Sequence, residues 1–158
     1  MQRSAVLSDC KTYRYALTRE WDTGLRALWI MLNPSTADAL VDDPTIRRCI
    51  SFSRSLGMGS LEVVNLFAFR ATDPNDMATA QTNGIDVVGP ENDATITAAA
   101  LRADTIVAAW GADKLAPLRS VSMRRLVAPR VLFALGKTKS GAPKHPLYLP
   151  SNSVLVPL

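Results

Sequence analysis

LRALWIMLNPSTADALVDDPTIRRCISFSRSLGMGSLEVVNLFAF, residues 25–69, reads as strand, turn, helix, strand. Residues 25–32 form a nearly continuous apolar run, as expected of a strand covered on both faces. The run stops at Asn33-Pro34, where proline removes a ladder donor. Residues 43–57 carry helix punctuation at both ends. Asp43 suits the N-cap, Pro44 the first helical position and Gly57 the stop, while Ile46, Cys49, Ile50 and Phe52 give one buried side. Residues 61–69 are a second buried strand. Two strands buried on both faces and joined through a helix make a parallel crossover.

The same alternation continues outward. Residues 12–21 have β-type composition and predict an N-terminal strand paired antiparallel with a neighbour. Residues 71–92 are turn-rich, the longest irregular stretch, and such stretches in a compact domain tend to be functional. Helices are expected over 93–103 and 116–128, the latter with Leu118, Val121, Met123, Leu126 and Val127 as its apolar residues. Strands are expected over 105–111 and 131–135. Residues 136–150 form a Gly/Pro-rich loop with the only histidine in the chain, His145. The expected architecture is α/β, a single three-layer domain around a central four-stranded, mostly parallel sheet. In such sheets ligands bind beyond the carboxyl ends of the strands. Those ends carry Asn33, the stretch 65–70, Trp110-Gly111 and the loop 136–148.

The 158 residues fit one domain with a sizeable core. No apolar stretch is long enough to cross a membrane, and the first residues lack the pattern of a signal peptide. Cys10 and Cys49 are far apart and too few for a structural zinc or a four-thiolate cluster, so reduced cysteines and a cytoplasmic location are expected. The net charge of +4 hides its distribution. After Asp113 there is no acid, while Lys114, Arg119, Arg124, Arg125, Arg130, Lys137, Lys139 and Lys144 follow; residues 1–113 carry a net −4. Such asymmetry points to a polyanion partner or to a solvated basic face.

Several polar residues fall where the expected sheet opens. Asn33 either caps its turn or positions a water beside a reacting carbon. Asp43 is the expected cap, which leaves Asp38 and Asp42 as free carboxylates to orient water or stabilise a cationic transition state. Asn65 interrupts an apolar strand, and a buried amide needs partners, in the backbone or in a ligand such as a base edge. His145, between prolines, is either structural or a donor to a developing oxyanion. No nucleophile elbow, P-loop or dinucleotide fingerprint is present, and one histidine cannot build a multi-histidine metal site. Neither metal nor cofactor is expected.

Taken in order, IMLNPS (30–35), VVNLFAF (63–69), IVAAWG (106–111) and KHPLYL (144–149) resemble the four motifs of the uracil-DNA glycosylase superfamily. The longer string NPSTAD…DDPTIRRC…NLFAFRATDP…AWG…LGKTKSGAPKHPLYL resembles a divergent branch of it, a bacterial and phage domain family with an NPSTAD signature. The resemblance implies a monofunctional DNA glycosylase that hydrolyses the N-glycosidic bond of a flipped-out base in double-stranded DNA. It implies Asn33, Asp42, Asp43 and His145 as catalytic residues, with Asn65, Phe67 and Ser35 around the base. Arg124, Arg125, Lys137, Lys139 and Lys144 would hold phosphates, and Leu147 or Tyr148 would wedge into the vacated stack. Ser35 stands where the superfamily usually has glycine, its pocket-walling aromatic has no clear counterpart beyond Phe67 or Phe69, and the histidine motif lacks its two serines. These departures point away from uracil, and a pocket without the steric filter could admit a larger base. By analogy with phage-defence glycosylases, that base is a hypermodified phage pyrimidine such as glucosylated hydroxymethylcytosine. The rival readings are an N-glycosidase or transferase acting on free nucleosides or nucleotides, and a non-catalytic module that binds modified DNA.

Overall fold

The computed structural model describes residues 1–158. Its sheet has seven strands rather than four. In chain order they are β1 (Gln2–Leu7), β2 (Arg14–Glu20), β3 (Arg26–Met31), β4 (Ser60–Asn65), β5 (Thr105–Ala108), β6 (Leu132–Ala134) and β7 (Val156–Pro157). The helices are α1 (Pro44–Ser55), α2 (Pro74–Thr82), α3 (Asn92–Arg102) and α4 (Ala116–Val127). The order across the sheet is β1-β2-β4-β3-β5-β6-β7. The four expected strands form its parallel centre, β4-β3-β5-β6, and the expected N-terminal strand is β2, antiparallel to β4. The two strands beyond the sequence expectation are the edges, β1 and β7, both antiparallel to their neighbours. β1 is mostly exposed and lacks an apolar period, and β7 is two residues long.

The layers follow from burial. One apolar cluster joins Trp29, Leu61, Val63 and Val107 of the sheet to Ile46, Cys49 and Phe52 of α1. The other joins Leu28, Ile30, Val64 and Ile106 to Met77, Ile96, Ala99, Met123 and Val127 of the other three helices. Adjacent residues of β3 serve opposite clusters, as the two-residue period of a strand requires. Each fully buried large apolar side chain contributes roughly 1.5–3 kcal/mol. Of the apolar residues expected to bury α4, Met123 and Val127 do so; Leu118 and Val121 are exposed.

The stretch 71–92 is not wholly irregular. It contains α2, which opens as α1 does, with Asp73 accepting a hydrogen bond from the Asn75 amide and Pro74 following. α1 opens on Asp43, whose Oδ1 accepts from the Ile46 amide at 2.8 Å. The loop 136–144 is likewise ordered. Lys137 and Pro143 pair as a bridge, and Thr138 N–H donates to Ala142 O at 2.8 Å.

Candidate functional site

β3 runs into Asn33 and β4 ends on Asn65, and their pairing continues past both strands. Leu66 N–H donates to Met31 O, Phe67 N–H to Leu32 O, and Ala71 N–H to Pro34 O. This zipper holds two polar strand ends side by side above the parallel centre of the sheet, where β3 has neighbours reached by connections in opposite directions. A cavity of about 550 Å³ opens there, a size suited to a small ligand. Asn33, Ser35, Asp43, Asn65, Trp110, His145 and Leu147 all line it. Sequence reading therefore brought together residues from four separate segments.

Asn65 is 1% exposed, and neither its Nδ2 nor its Oδ1 has a hydrogen-bond partner in the protein. Leaving a buried amide unpaired costs roughly 1–3 kcal/mol. Its backbone, in contrast, is held. The fully buried Asn92 at the start of α3 donates through Nδ2 to Asn65 O at 3.0 Å and to Leu66 O at 3.2 Å, and Arg119 Nε donates to Leu66 O at 2.7 Å. Three hydrogen bonds thus pin the backbone of Asn65 and Leu66, while the Asn65 side-chain amide is uncommitted.

Asn33 is half-buried and oriented. Its Nδ2 donates to Ala71 O at 2.8 Å and to Pro34 O at 3.2 Å, which leaves Oδ1 as an acceptor. His145 is held by the loop before it. Gly111 N–H donates to Pro143 O and Lys144 N–H to Gly136 O, each at 3.0 Å. Its Nδ1 accepts from the Leu147 amide at 3.2 Å, so in the neutral ring the proton sits on Nε2. Burial pushes its pKa below the ordinary value, with Asp43 opposing. The neutral imidazole is thus an Nε2–H donor.

The acids divide. Asp43 lines the cavity while capping α1. Asp42, expected as a free carboxylate, faces away from the cavity into an ion pair with the buried Arg19 at 2.8 Å and with Arg3 at 3.0 Å. Asp38, also expected to be free, caps its own turn by accepting from the Leu40 and Val41 amides, which hold its carboxyl below the usual range. The reason is local. Adjacent residues at the helix entry point in different directions, and β2 offers Arg19 to one of them. Phe67, expected near the base, is 3% exposed and packed in the core beneath α2, α3 and α4, off the cavity. Phe69 packs edge-on against Tyr13. The aromatic at the cavity is Trp110, just beyond β5.

Arg14 is a cavity residue that no sequence pattern marks. It is 2% exposed and lines the cavity. A β-bulge turns the chain there: Val6 faces Ala16 but Leu7 faces Arg14, so Tyr15 is the extra residue. Bulges of this kind re-aim side chains near sites.

The acid-free segment also divides. Arg119 is committed to Leu66 O and Asp93, and Arg130 donates to the carbonyls of Ala100, Ala103 and Asp104, closing the end of α3. Lys114, Arg124, Arg125, Lys137, Lys139 and Lys144 are exposed and form no ion pair. Tyr148, next to the cavity-lining Leu147, is 92% exposed and sits at φ 72°, a backbone conformation uncommon for an aromatic residue. No cluster of three or more histidine, cysteine or acidic side chains is arranged to hold a metal ion. No helix is long and apolar enough to cross a membrane.

No curated protein and no solved structure matches the chain. A family model described as protein of unknown function (DUF1643) matches residues 14–147. Those bounds are Arg14 and Leu147, and every residue that lines the cavity falls within them. The chain therefore belongs to the DUF1643 family.

Proposed function

We propose that this protein is a DNA glycosylase. It hydrolyses the N-glycosidic bond of a base flipped out of double-stranded DNA into the cavity, leaving an abasic site. One observation carries the reading: a buried amide, Asn65, with donor and acceptor both unpartnered, lines a cavity of about 550 Å³. A donor–acceptor pair on one planar group is what the edge of a nucleobase complements.

The chemistry follows from the groups around it. Asn33 Oδ1, fixed by the two bonds its Nδ2 makes, accepts from a water held beside C1′ of the sugar. The water oxygen bonds to C1′ as the C1′–N bond breaks, and the electron pair leaves with the base. Positive charge grows on the sugar, and the Asp43 carboxylate offsets it and takes the water's proton. Negative charge grows on the base, and His145 Nε2–H donates to its oxygen. Asp42 has no part in this chemistry, because its carboxylate is spent on Arg19 and Arg3. The six unpaired cations supply the phosphate contacts. Tyr148, held out beside the cavity mouth, fills the gap left in the stack.

The location of Phe67 in the core, off the cavity, leaves no phenylalanine wall there and supports a base larger than uracil. A hypermodified phage pyrimidine is the substrate class we favour. The test is abasic-site formation. Purified protein is incubated with unmodified DNA, uracil-containing DNA and phage DNA bearing glucosylated hydroxymethylcytosine, and alkali reveals strand breaks. Breaks in one modified DNA, lost in Asn65→Ala and Asn33→Ala, are expected. Binding without breaks in any of the three would overturn the reading in favour of a binding module.

A further inference from the structure

We infer that Arg14 makes the cavity a receptor for negative charge, so that the pocket takes its heterocycle by an anionic or oxo edge. The inference rests on the glycosylase reading for its role in catalysis, but not for the binding itself. Arg14 is nearly fully buried, yet it belongs to none of the six ion pairs in the molecule. The only hydrogen bond from its side chain is Nη1 to Ala37 O at 2.5 Å, and its buried Nε has no partner. A guanidinium carries five N–H donors and no acceptor, and a buried cation without a counter-ion is costly. The neighbouring Arg19 solves the same problem by contacting Asp42 and three carbonyls. Arg14 has no such set.

The charges that act on Arg14 are mixed. Asp43 and Asp38 favour its cationic form, Arg70 and Arg19 oppose it, and burial lowers its pKa to about 10. The side chain therefore stays cationic at neutral pH. It lines the same cavity as the unpartnered Asn65, and the β-bulge at Tyr15 is what turns it there. A cation, an uncommitted amide and a neutral Nε2–H donor converge on one volume. Two of these three groups can only donate, so the ligand must present acceptors to them. An exocyclic amino group pointed at Arg14 would be rejected.

In the reaction proposed above, the heterocycle becomes anionic as the C1′–N bond gives it the electron pair. Arg14 then holds that charge until solvent protonates the free base. Arg14 touches the departing base and is a catalytic residue in that sense, beside His145.

The probe is a pair of free bases of one shape. Uracil and 6-azauracil are isosteric, but at mildly alkaline pH azauracil is largely ionised and uracil is neutral. Calorimetric titration of the intact protein is expected to show azauracil bound about tenfold or more tightly than uracil, the scale of one charge-assisted hydrogen bond. Arg14→Gln is expected to abolish the difference by weakening azauracil far more than uracil, and Arg14→Lys to retain part of it. Should Arg14→Gln fail to fold, the comparison in the unsubstituted protein still decides. Equal affinity for the two bases, binding of neither, or a preference that survives in a folded Arg14→Gln protein would overturn the inference. Abasic sites in DNA without an azauracil preference would sink this inference alone. The preference without abasic sites would sink the glycosylase reading and leave the anion receptor standing.

Discussion

Asn65 gives the residue scale its sharpest prediction, because its costs and uses have opposite signs. An amide with no partner in the protein does nothing for the fold, so Asn65→Leu, close in shape and apolar, should leave the melting temperature unchanged or raise it. The gain would be at most about 1–3 kcal/mol, the cost of an unpaired buried polar group. The same substitution should lower the proposed glycosylase activity by roughly a hundredfold or more, the scale of losing a key electrostatic or positioning group. A melt that instead falls by several degrees would mean the amide has a structural partner, and the site would need another explanation. His145 makes a prediction in pH. Its folded pKa lies below the ordinary 6.5, because burial disfavours the charged ring. The unfolded chain then binds the proton more readily, so stability is complete above about 6.5 and drains away as pH falls from there towards the lowered folded value. Protonation also removes the acceptor that Leu147 N–H uses, which loosens the loop. Urea melts stepped across this range should show the slope in the unsubstituted protein and its loss in His145→Gln. The acid limb of the activity profile should lie below the ordinary histidine value.

At the scale of elements, the two aspartates that open α1 separate structure from chemistry. Asp42→Asn strands the buried Arg19, whose remaining bonds reach only the carbonyls of Ser4, Thr18 and Asp38. Breaking a buried pair costs about 3–5 kcal/mol; thermal melts should register that loss, while activity per folded molecule is kept. Asp43→Ser keeps a capping oxygen for the Ile46 amide and removes the charge. Stability should therefore stay within about 1 kcal/mol while turnover falls; unchanged turnover would reduce Asp43 to a cap. Sequence patterns assigned the cap to Asp43 but could not pair Asp42, because its partner Arg19 is brought to it only by the register of β2. The cap itself was legible, as were the four parallel strands, because buried strands between helices leave long apolar runs. The second Asp-Pro, Asp73-Pro74, carried the same helix signal as Asp43-Pro44. Turn-forming residues around it obscured a nine-residue helix with only Met77 and Ala80 buried. β1 and β7 left no apolar period, since an exposed edge and a two-residue pairing need none. Arg14 was invisible for a different reason. A strand pattern assumes strict alternation, and a single bulge at Tyr15 redirects the residue before it.

Across the whole molecule, the charge pattern and the fold need each other. The acid-free segment looks in sequence like eight equivalent cations, yet two of them close internal structure. Arg119 braces the end of β4, and Arg130 closes α3. The other six stay exposed on elements that follow β5, with Lys114 and Arg124 beside a second groove of about 450 Å³ that shares Trp110 with the main cavity. None of the six lines the main cavity. Inside, the single cation is Arg14. The two ought to respond differently to salt. If all six exposed cations meet phosphates of duplex DNA, the logarithm of the binding constant should fall with the logarithm of salt concentration at a slope of about −5. Replacing Lys137, Lys139 and Lys144 together by Gln should reduce that slope by about 2 to 3 and weaken binding of modified and unmodified DNA alike. On the proposed reading, discrimination between the two DNAs should survive, because it is assigned to Asn65 and Arg14, which are buried in the cavity. Fluorescence anisotropy over a salt series, with both duplexes and both proteins, measures slope and discrimination in one experiment. A slope unaffected by the triple substitution would move the DNA path off the 136–144 loop and onto α4, where Arg124 and Arg125 remain.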